Sequence, residues 1–199
     1  MILLNIAHIL PFSEVNGPGK RTVIWVQGCT INCKGCFNQN FLPHTQKYLV
    51  SPEELAKTIL RLTQKHNCEG ITLTGGEPFQ QAEALNIFCD LIKSNGLSIV
   101  SFTGYNYSKL KRDENKNIQK LMEKIDILIA GPYRNNNSDQ IRVWNANKDK
   151  DIIYLTEKYK NNSQKYENIE LFMSEKDIEF TGFMEDEDKK FLENLFDSS

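Results

Sequence analysis

The sequence predicts an α/β fold: an incomplete, open parallel (β/α) barrel with a short C-terminal α+β extension. Three observations predict it. From Arg21 onward strand-like and helix-like runs alternate, which argues for a parallel sheet joined by right-handed crossovers. The strand-like runs are nearly continuous apolar stretches, as strands covered by helices require. The 199 residues hold too few strand–helix units to close an eight-stranded barrel, which takes about 250 residues.

The elements follow in order. MILLNIAHILPF (1–12) is apolar but has neither a basic leading region nor a small-residue cleavage site. It reads as a first strand, not a signal peptide. TVIWVQ (22–27) is β-branched and aromatic and ends at Gly28. SPEELAKTILRLTQKH (51–66) opens with a capping box, Ser51 at N-cap, Pro52 at N1 and Glu54 at N3. Leu55, Ile59 and Leu62 give this helix its apolar stripe. GITLTGGEP (70–78) is a short strand broken by paired glycines. Gln80 to Ser94 is a helix with Leu85, Phe88, Cys89 and Ile92 on one face, stopped by Gly96. LSIVSFTGY (97–105) and IDILIAGP (125–132) are strands, with helical material from about Lys116 to Lys124 between them.

After Arg134 the pattern weakens. Asn135, Asn136 and Asn137 begin a polar loop, and NNSQKYEN (161–168) is another. DIIYLT (151–156) suits a strand, IELFMS (169–174) and DIEFTGF (177–183) a hairpin, and Asp186 to Phe196 a last helix. There is no internal repeat or long linker. The chain reads as one domain, 1–199, with a core over about 1–135 and a variable extension over about 136–199.

Forty per cent of the residues are hydrophobic, a quarter are charged and the net charge is −2, the composition of a globular chain. This balance offers no electrostatic case for nucleic acid or an anionic membrane as a partner. The segment from Glu185 to Ser199 holds six acids against two lysines and reads as the solvated face of a terminal helix. No apolar run reaches the roughly 20 residues of a membrane span. A cytoplasmic location is expected, and with it five cysteines serving as reduced thiols or metal ligands, not disulfides.

QGCTINCKGCFN (27–38) concentrates the chemistry. Cys29, Cys33 and Cys36 stand at Cys-x3-Cys-x2-Cys spacing with Phe37 directly after. In parallel α/β folds ligands bind at the carboxyl ends of the strands. Four such ends carry Gly28-Cys29, Thr74-Gly75-Gly76-Glu77-Pro78, Thr103-Gly104-Tyr105 and Gly131-Pro132. A parallel sheet brings all four to one rim. Three thiolates can hold three irons of a [4Fe–4S] cluster and leave the fourth iron an open position, the mark of a reactive site. The glycine pair lets a ligand approach the backbone, and Glu77 can accept hydrogen bonds from an ammonium. The competing assignment is a Cys3His zinc site with His44, in a zinc-stabilised binding module. The aromatic after the third cysteine and the strand-end Gly-Gly-Glu favour the cluster. Cys68 and Cys89 read as buried core thiols. His8, His44 and His66 lack partner spacing, Tyr105 and Tyr107 suit packing or rim positions, and Lys20 and Arg21 suit pairing with surface acids.

CTINCKGCF with GGEP downstream resembles the paired signature of radical S-adenosylmethionine (SAM) enzymes. NGPGKRTVIWVQGC (16–29) is similar to the activases of glycyl radical enzymes. CFN, Thr103-Gly104-Tyr105 and DILIAGPY (126–133) resemble the short members that activate anaerobic ribonucleotide reductase. The resemblance covers about residues 5 to 135 and implies a partial barrel. It implies Cys29, Cys33 and Cys36 as ligands of a [4Fe–4S] cluster whose open iron is chelated by SAM. Gly75, Gly76 and Glu77, followed by Pro78, would hold the methionine amino group, and Phe37 would lie against the adenine. Thr103, Gly104 and Tyr105 would contact the methionine or ribose side, and Gly17 to Arg21 would shape the rim near the cluster.

The implied reaction is reductive cleavage of SAM to a 5′-deoxyadenosyl radical. That radical abstracts a hydrogen atom, in an activase from a glycine of a large partner enzyme. A flavodoxin- or ferredoxin-type protein would supply the electron. A peptide or nucleotide substrate is the alternative. The group usually carries an Arg-Gly-Ser-x-Asn-Gln-like stretch after the last strand. Here IRVWNANKDKDIIYLTE (141–157) stands instead, with Arg142, Trp144 and Asn145 as a relic or a different contact surface.

Overall fold

The structure, a computed structural model, describes residues 2–134, 144, 150–161, 169–173 and 178–182. The chain enters through β1 (Leu4–Ser13) and β2 (Arg21–Val26), then runs through β3 (Tyr48–Val50) into α1 (Pro52–His66). Strands and helices then alternate: β4 (Gly70–Gly75), α2 (Ala82–Ser94), β5 (Ser98–Thr103), α3 (Tyr107–Lys111), α4 (Lys116–Met122) and β6 (Ile127–Ala130). β7 (Asp151–Tyr154) follows, and β8 (Ile169–Met173) and β9 (Ile178–Gly182) form a separate two-stranded sheet.

Local chemistry explains the helix ends. The Ser51 hydroxyl accepts the Glu54 amide N–H at 3.3 Å and donates to the Glu54 carboxylate at 3.0 Å. This is the N-cap half of the capping box read from the sequence, with Glu54 reaching back to the Ser51 hydroxyl and Pro52 in the first turn. Asn67 ends α1 in the left-handed region at φ 53°. The last helix expected from Asp186 and the polar loops at 135–137 and 162–168 lie outside the described residues.

Seven strands make one mixed sheet in the order β3-β1-β2-β4-β5-β6-β7. β2, β4, β5 and β6 are parallel neighbours, as the alternating pattern requires. The flanking strands are antiparallel: β1 to β2, β3 to β1 and β7 to β6. In the parallel core Arg21 pairs with Gly70 and Gly70 with Ser98. The strands therefore start level, and their C-terminal ends form one edge. Ile169–Met173 and Ile178–Gly182 pair antiparallel, as expected of the hairpin, with Ile169 opposite Gly182.

Residues of β2 alternate between two cores. Ile24 and Val26 join Leu73, Leu85, Phe88 and Ile92 beneath α1, α2 and α4. Val23 and Trp25 face the other way and pack with Leu10 and, at the margin, Phe41 and Phe172. Further along that second face Val100, Ile127 and Ile129 pack with Trp144 and Tyr159. Trp144 is buried there at 3% exposure. It is a core residue, which corrects its reading as a contact surface. Arg142 and Asn145 lie outside the described residues.

The segment Gly17 to Arg21 also needs correction. Arg21 opens β2 whereas Cys29 follows its end. Five steps at about 3.3 Å per residue separate the two ends of that strand, so this segment closes the opposite end of the parallel strands instead of shaping the cysteine rim. Arg21 is fully buried. It donates to Pro18 O at 2.9 Å, Ile71 O at 2.9 Å and Ser98 O at 3.0 Å. Lys20 does pair with a surface acid, Glu14, at 3.6 Å.

Candidate functional site

The strand ends are sewn together before any ligand is considered. Gly76 N–H donates to Val26 O at 2.8 Å and Glu77 N–H to Gly28 O at 2.9 Å. The β4 loop thus lies directly on the cysteine loop. A Cβ at Gly76 would collide with the Gly28 carbonyl, and one at Gly75 would stand 2.7 Å from the Val26 backbone, with φ at 103° besides. The glycine pair is required by this backbone seam. Asn38, two residues past the third cysteine, adds a bond from its Nδ2 to Gly75 O at 3.3 Å.

Glu77 locks the next loop. Its side chain is 1% exposed. One carboxylate oxygen accepts Phe79 N–H at 3.0 Å and Thr103 Oγ1–H at 2.9 Å, and the other accepts Gly104 N–H at 2.8 Å. Burial pushes its pKa up, and these hydrogen bonds oppose the shift. Gln80 joins a third pair of loops, donating to Thr30 Oγ1 at 2.6 Å and to the Tyr105 hydroxyl at 2.9 Å.

These loops enclose a cavity of about 250 Å³. Cys29, Cys33, Cys36 and Phe37 line it from the first strand end, Gly75, Gly76 and Glu77 from the second, and Thr103 and Gly104 from the third. Residues widely separated in sequence therefore share one chamber, as the rim argument expects. Phe37 is 44% exposed at its mouth. Pro78 and Tyr105 stand behind the lining: Pro78 is buried at the head of the turn Pro78–Gln81, and Tyr105 packs against the helix-side core. His8 forms part of the inner wall with Trp25, 5.3 Å between ring centroids. His66 stacks on Phe12, and the His44 ring lies against Gly28, outside the cavity lining. Cys68 and Cys89 are buried core thiols, as expected.

The donor set suits a multi-iron cluster. Cys29, Cys33 and Cys36 are free, half-buried thiols. Burial raises the pKa of Cys29, and the charges of Glu77 and Cys33 add to the rise while backbone hydrogen bonds from Asn32 and Ile31 oppose it. Burial also raises Cys36, with Cys33 and Cys29 adding and Lys150 opposing. Thiols this costly to ionise together gain most from a metal that takes them as thiolates. Among the described residues no three His, Cys, Asp or Glu side chains close on one metal ion. A cluster asks for a wider triangle, because each thiolate meets its own iron.

One charged residue of the chamber was not expected from the sequence. Lys150 lines it just ahead of β7 and donates to Gly131 O at 2.6 Å and Thr103 O at 3.2 Å. Only the antiparallel return of β7, bringing Asp151 opposite Ala130, delivers it to the rim. The polar run NANKDKD carries no periodic signal for that.

Comparison with known proteins agrees with this geometry. The chain is 29% identical over 153 residues to the anaerobic ribonucleoside-triphosphate reductase-activating protein of Enterobacteria phage T4, covering 71% of this chain and 94% of that protein. It is 29% identical to the protein of the same name from Pasteurella multocida, over 78% of this chain and 100% of that one. The pyruvate formate-lyase-activating enzyme of Clostridium pasteurianum is 29% identical over 65% of this chain and 52% of its own length. The family described as "4Fe-4S single cluster domain" matches residues 15–153, from the loop before β2 through most of β7. With that match spanning the cysteines and all the parallel strands, the chain belongs to the 4Fe-4S single cluster domain family.

Proposed function

We propose that this protein is a radical SAM activase that takes a hydrogen atom from a glycine of a large glycyl radical enzyme of the anaerobic ribonucleotide reductase type. The observation that carries the reading is the convergence of Cys29, Cys33 and Cys36 with Gly75-Gly76-Glu77 and Thr103-Gly104 on one cavity. The names of its relatives support the partner class. When bound, a [4Fe–4S] cluster and SAM supply the one-electron chemistry that turns SAM into a 5′-deoxyadenosyl hydrogen-atom acceptor.

The chain's residues hold and orient. Cys29, Cys33 and Cys36 would hold the cluster, and three thiolates would leave one iron open to SAM. Glu77 fixes the Thr103-Gly104 loop through its two oxygens and presents negative charge to the methionine ammonium. Phe37 offers its exposed ring to the adenine. Pro78 and Tyr105 support this lining from behind. The sheet is helix-covered on one face, and an incomplete barrel of this kind would let a partner's loop reach the reacting position. A flavodoxin- or ferredoxin-type donor supplies the electron, and the setting is the cytoplasm. No described helix is long and apolar enough to cross a membrane.

The test is anaerobic incubation of the reconstituted protein with reductant, SAM and the candidate large subunit, read by electron paramagnetic resonance. A glycyl doublet on the subunit is expected. 5′-Deoxyadenosine without that doublet would assign another hydrogen donor. A colourless, zinc-loaded protein would end the enzyme reading.

A further inference from the structure

We infer that Lys150 is a positioning residue of the cofactor site: a fixed cation that offsets the negative charge of a cluster on Cys29, Cys33 and Cys36 and sets how readily that cluster accepts an electron. This rests on the cluster reading above and extends it to a residue outside the cysteine and Gly-Gly-Glu motifs.

Three observations support it. The first is placement. β7 runs antiparallel to β6 with Asp151 opposite Ala130, so the residue before Asp151 stands at the C-terminal rim of the parallel strands. The second is restraint. The ammonium donates to Gly131 O and Thr103 O, carbonyls at the ends of β6 and β5. Two strand-end carbonyls hold a long, flexible side chain in one position. The third is charge. Among the described residues lining the cavity, Lys150 is the one lysine or arginine, facing three thiols and Glu77. Burial lowers the pKa of Lys150, and the negative charges of Glu77, Cys33 and Cys36 oppose that shift and favour its ammonium form.

The chemistry follows from charge balance. Three thiolates outweigh the charge of an oxidised cluster core, and the electron taken from an external reductant adds one more negative charge. A buried cation stabilises the reduced form more than the oxidised form, because attraction scales with the charge it faces. The same ammonium, joined to the Thr103 carbonyl, holds the loop whose other contacts go to Glu77.

Lys150→Met and Lys150→Arg distinguish this role from strand capping. Each variant and the wild type are reconstituted with iron and sulfide, iron per chain is counted, and the cluster is titrated with reductant under paramagnetic resonance detection. The expected result is normal loading of Lys150→Met with its reduction equilibrium shifted at least tenfold toward the oxidised form, about 59 mV for one electron. Lys150→Arg, which keeps the charge, should stay near the wild type. An unshifted potential in a loaded Lys150→Met protein overturns the proposal. If Lys150→Met loads no cluster, Lys150→Gln is measured in the same way. Failure of both neutral variants with loading restored in Lys150→Arg supports the charge role. Failure of all three with lowered melting temperatures overturns it in favour of a purely structural residue. A wild-type cluster signal that survives Cys33→Ala would instead refute the three-cysteine reading beneath it, and the proposal with it.

Discussion

Both carboxylate oxygens of Glu77 are engaged by the protein itself, through Phe79, Thr103 and Gly104. A buried acceptor with three donors is structural before it is catalytic. Truncation would leave two amide groups and a hydroxyl in a chamber wall without their partner, at about 1–3 kcal/mol for each group left unsatisfied. Glu77→Ala is therefore expected to lower unfolding free energy in urea by about 3 kcal/mol. It should also weaken SAM binding by calorimetry while iron loading persists, since the thiols remain. Unchanged SAM affinity would reduce Glu77 to a loop lock. The residue was legible in the sequence because Gly-Gly-Glu-Pro ends a strand. Its partners were not, because bonds from β4 to β5 loops depend on register, and no local pattern encodes register across 26 residues. The glycine pair shows the same limit. Its freedom was legible, but the Gly28 carbonyl it makes room for appears only once β2 and β4 are paired.

Element by element, the strands and helices with strong periods were readable and the weak ones were not. β3 has three residues, two of them exposed, and α3 has five with one buried; neither offers a period to detect. Strands were readable at β1 and β7, but their antiparallel direction was not, because an apolar run fits either direction. The apolar strands suggested a sheet covered by helices; helices cover one face, and the second is filled by Trp144, Tyr159 and the hairpin residue Phe172. Arg21 illustrates the cost of reading a charge locally. In sequence it resembles a surface cation. In the fold it is a buried cross-link at the start of β2, bonded to backbone carbonyls before β2, in β4 and in β5, with Glu69 at 3.5 Å. Arg21→Ala would strand those carbonyls and open a cavity, a combined loss of about 3 kcal/mol or more. Urea denaturation should show that loss. Because the residue lies at the far ends of the strands, the fraction that folds should bind iron at the wild-type ratio. A low ratio in folded protein would place Arg21's influence at the rim after all.

At the scale of the whole molecule, the described residues past 135 pack against those before it. β7 extends the sheet beyond β6, and Trp144 and Tyr159 complete the core over Val100, Ile127 and Ile129. The β8–β9 hairpin reaches back to the start of the chain. Glu170 accepts Glu14 N–H at 2.8 Å, Phe172 meets Phe12 edge-on at 5.5 Å, and Thr181 accepts Asn16 Nδ2–H at 2.8 Å. Thr181 and Gly182 also line the cavity. Two truncations separate these contributions. A chain ending at Arg134 loses β7, Trp144 and Tyr159 together. The burial shared by the five side chains of that cluster amounts to about 1.5–3 kcal/mol each, comparable with the whole stability of a domain at about 5–15 kcal/mol. This chain should bind a hydrophobic dye and show no cooperative melt by circular dichroism. A chain ending at Asn161 keeps β7, Trp144 and Tyr159 and loses the β8–β9 hairpin with the rest of the chain to Ser199. It should melt cooperatively at a lower temperature, load iron on Cys29, Cys33 and Cys36, and bind SAM more weakly because one wall of the chamber is gone. If the shorter chain melts as cooperatively as the longer one, the second-face core is not what completes the fold, and the residues before 135 fold on their own.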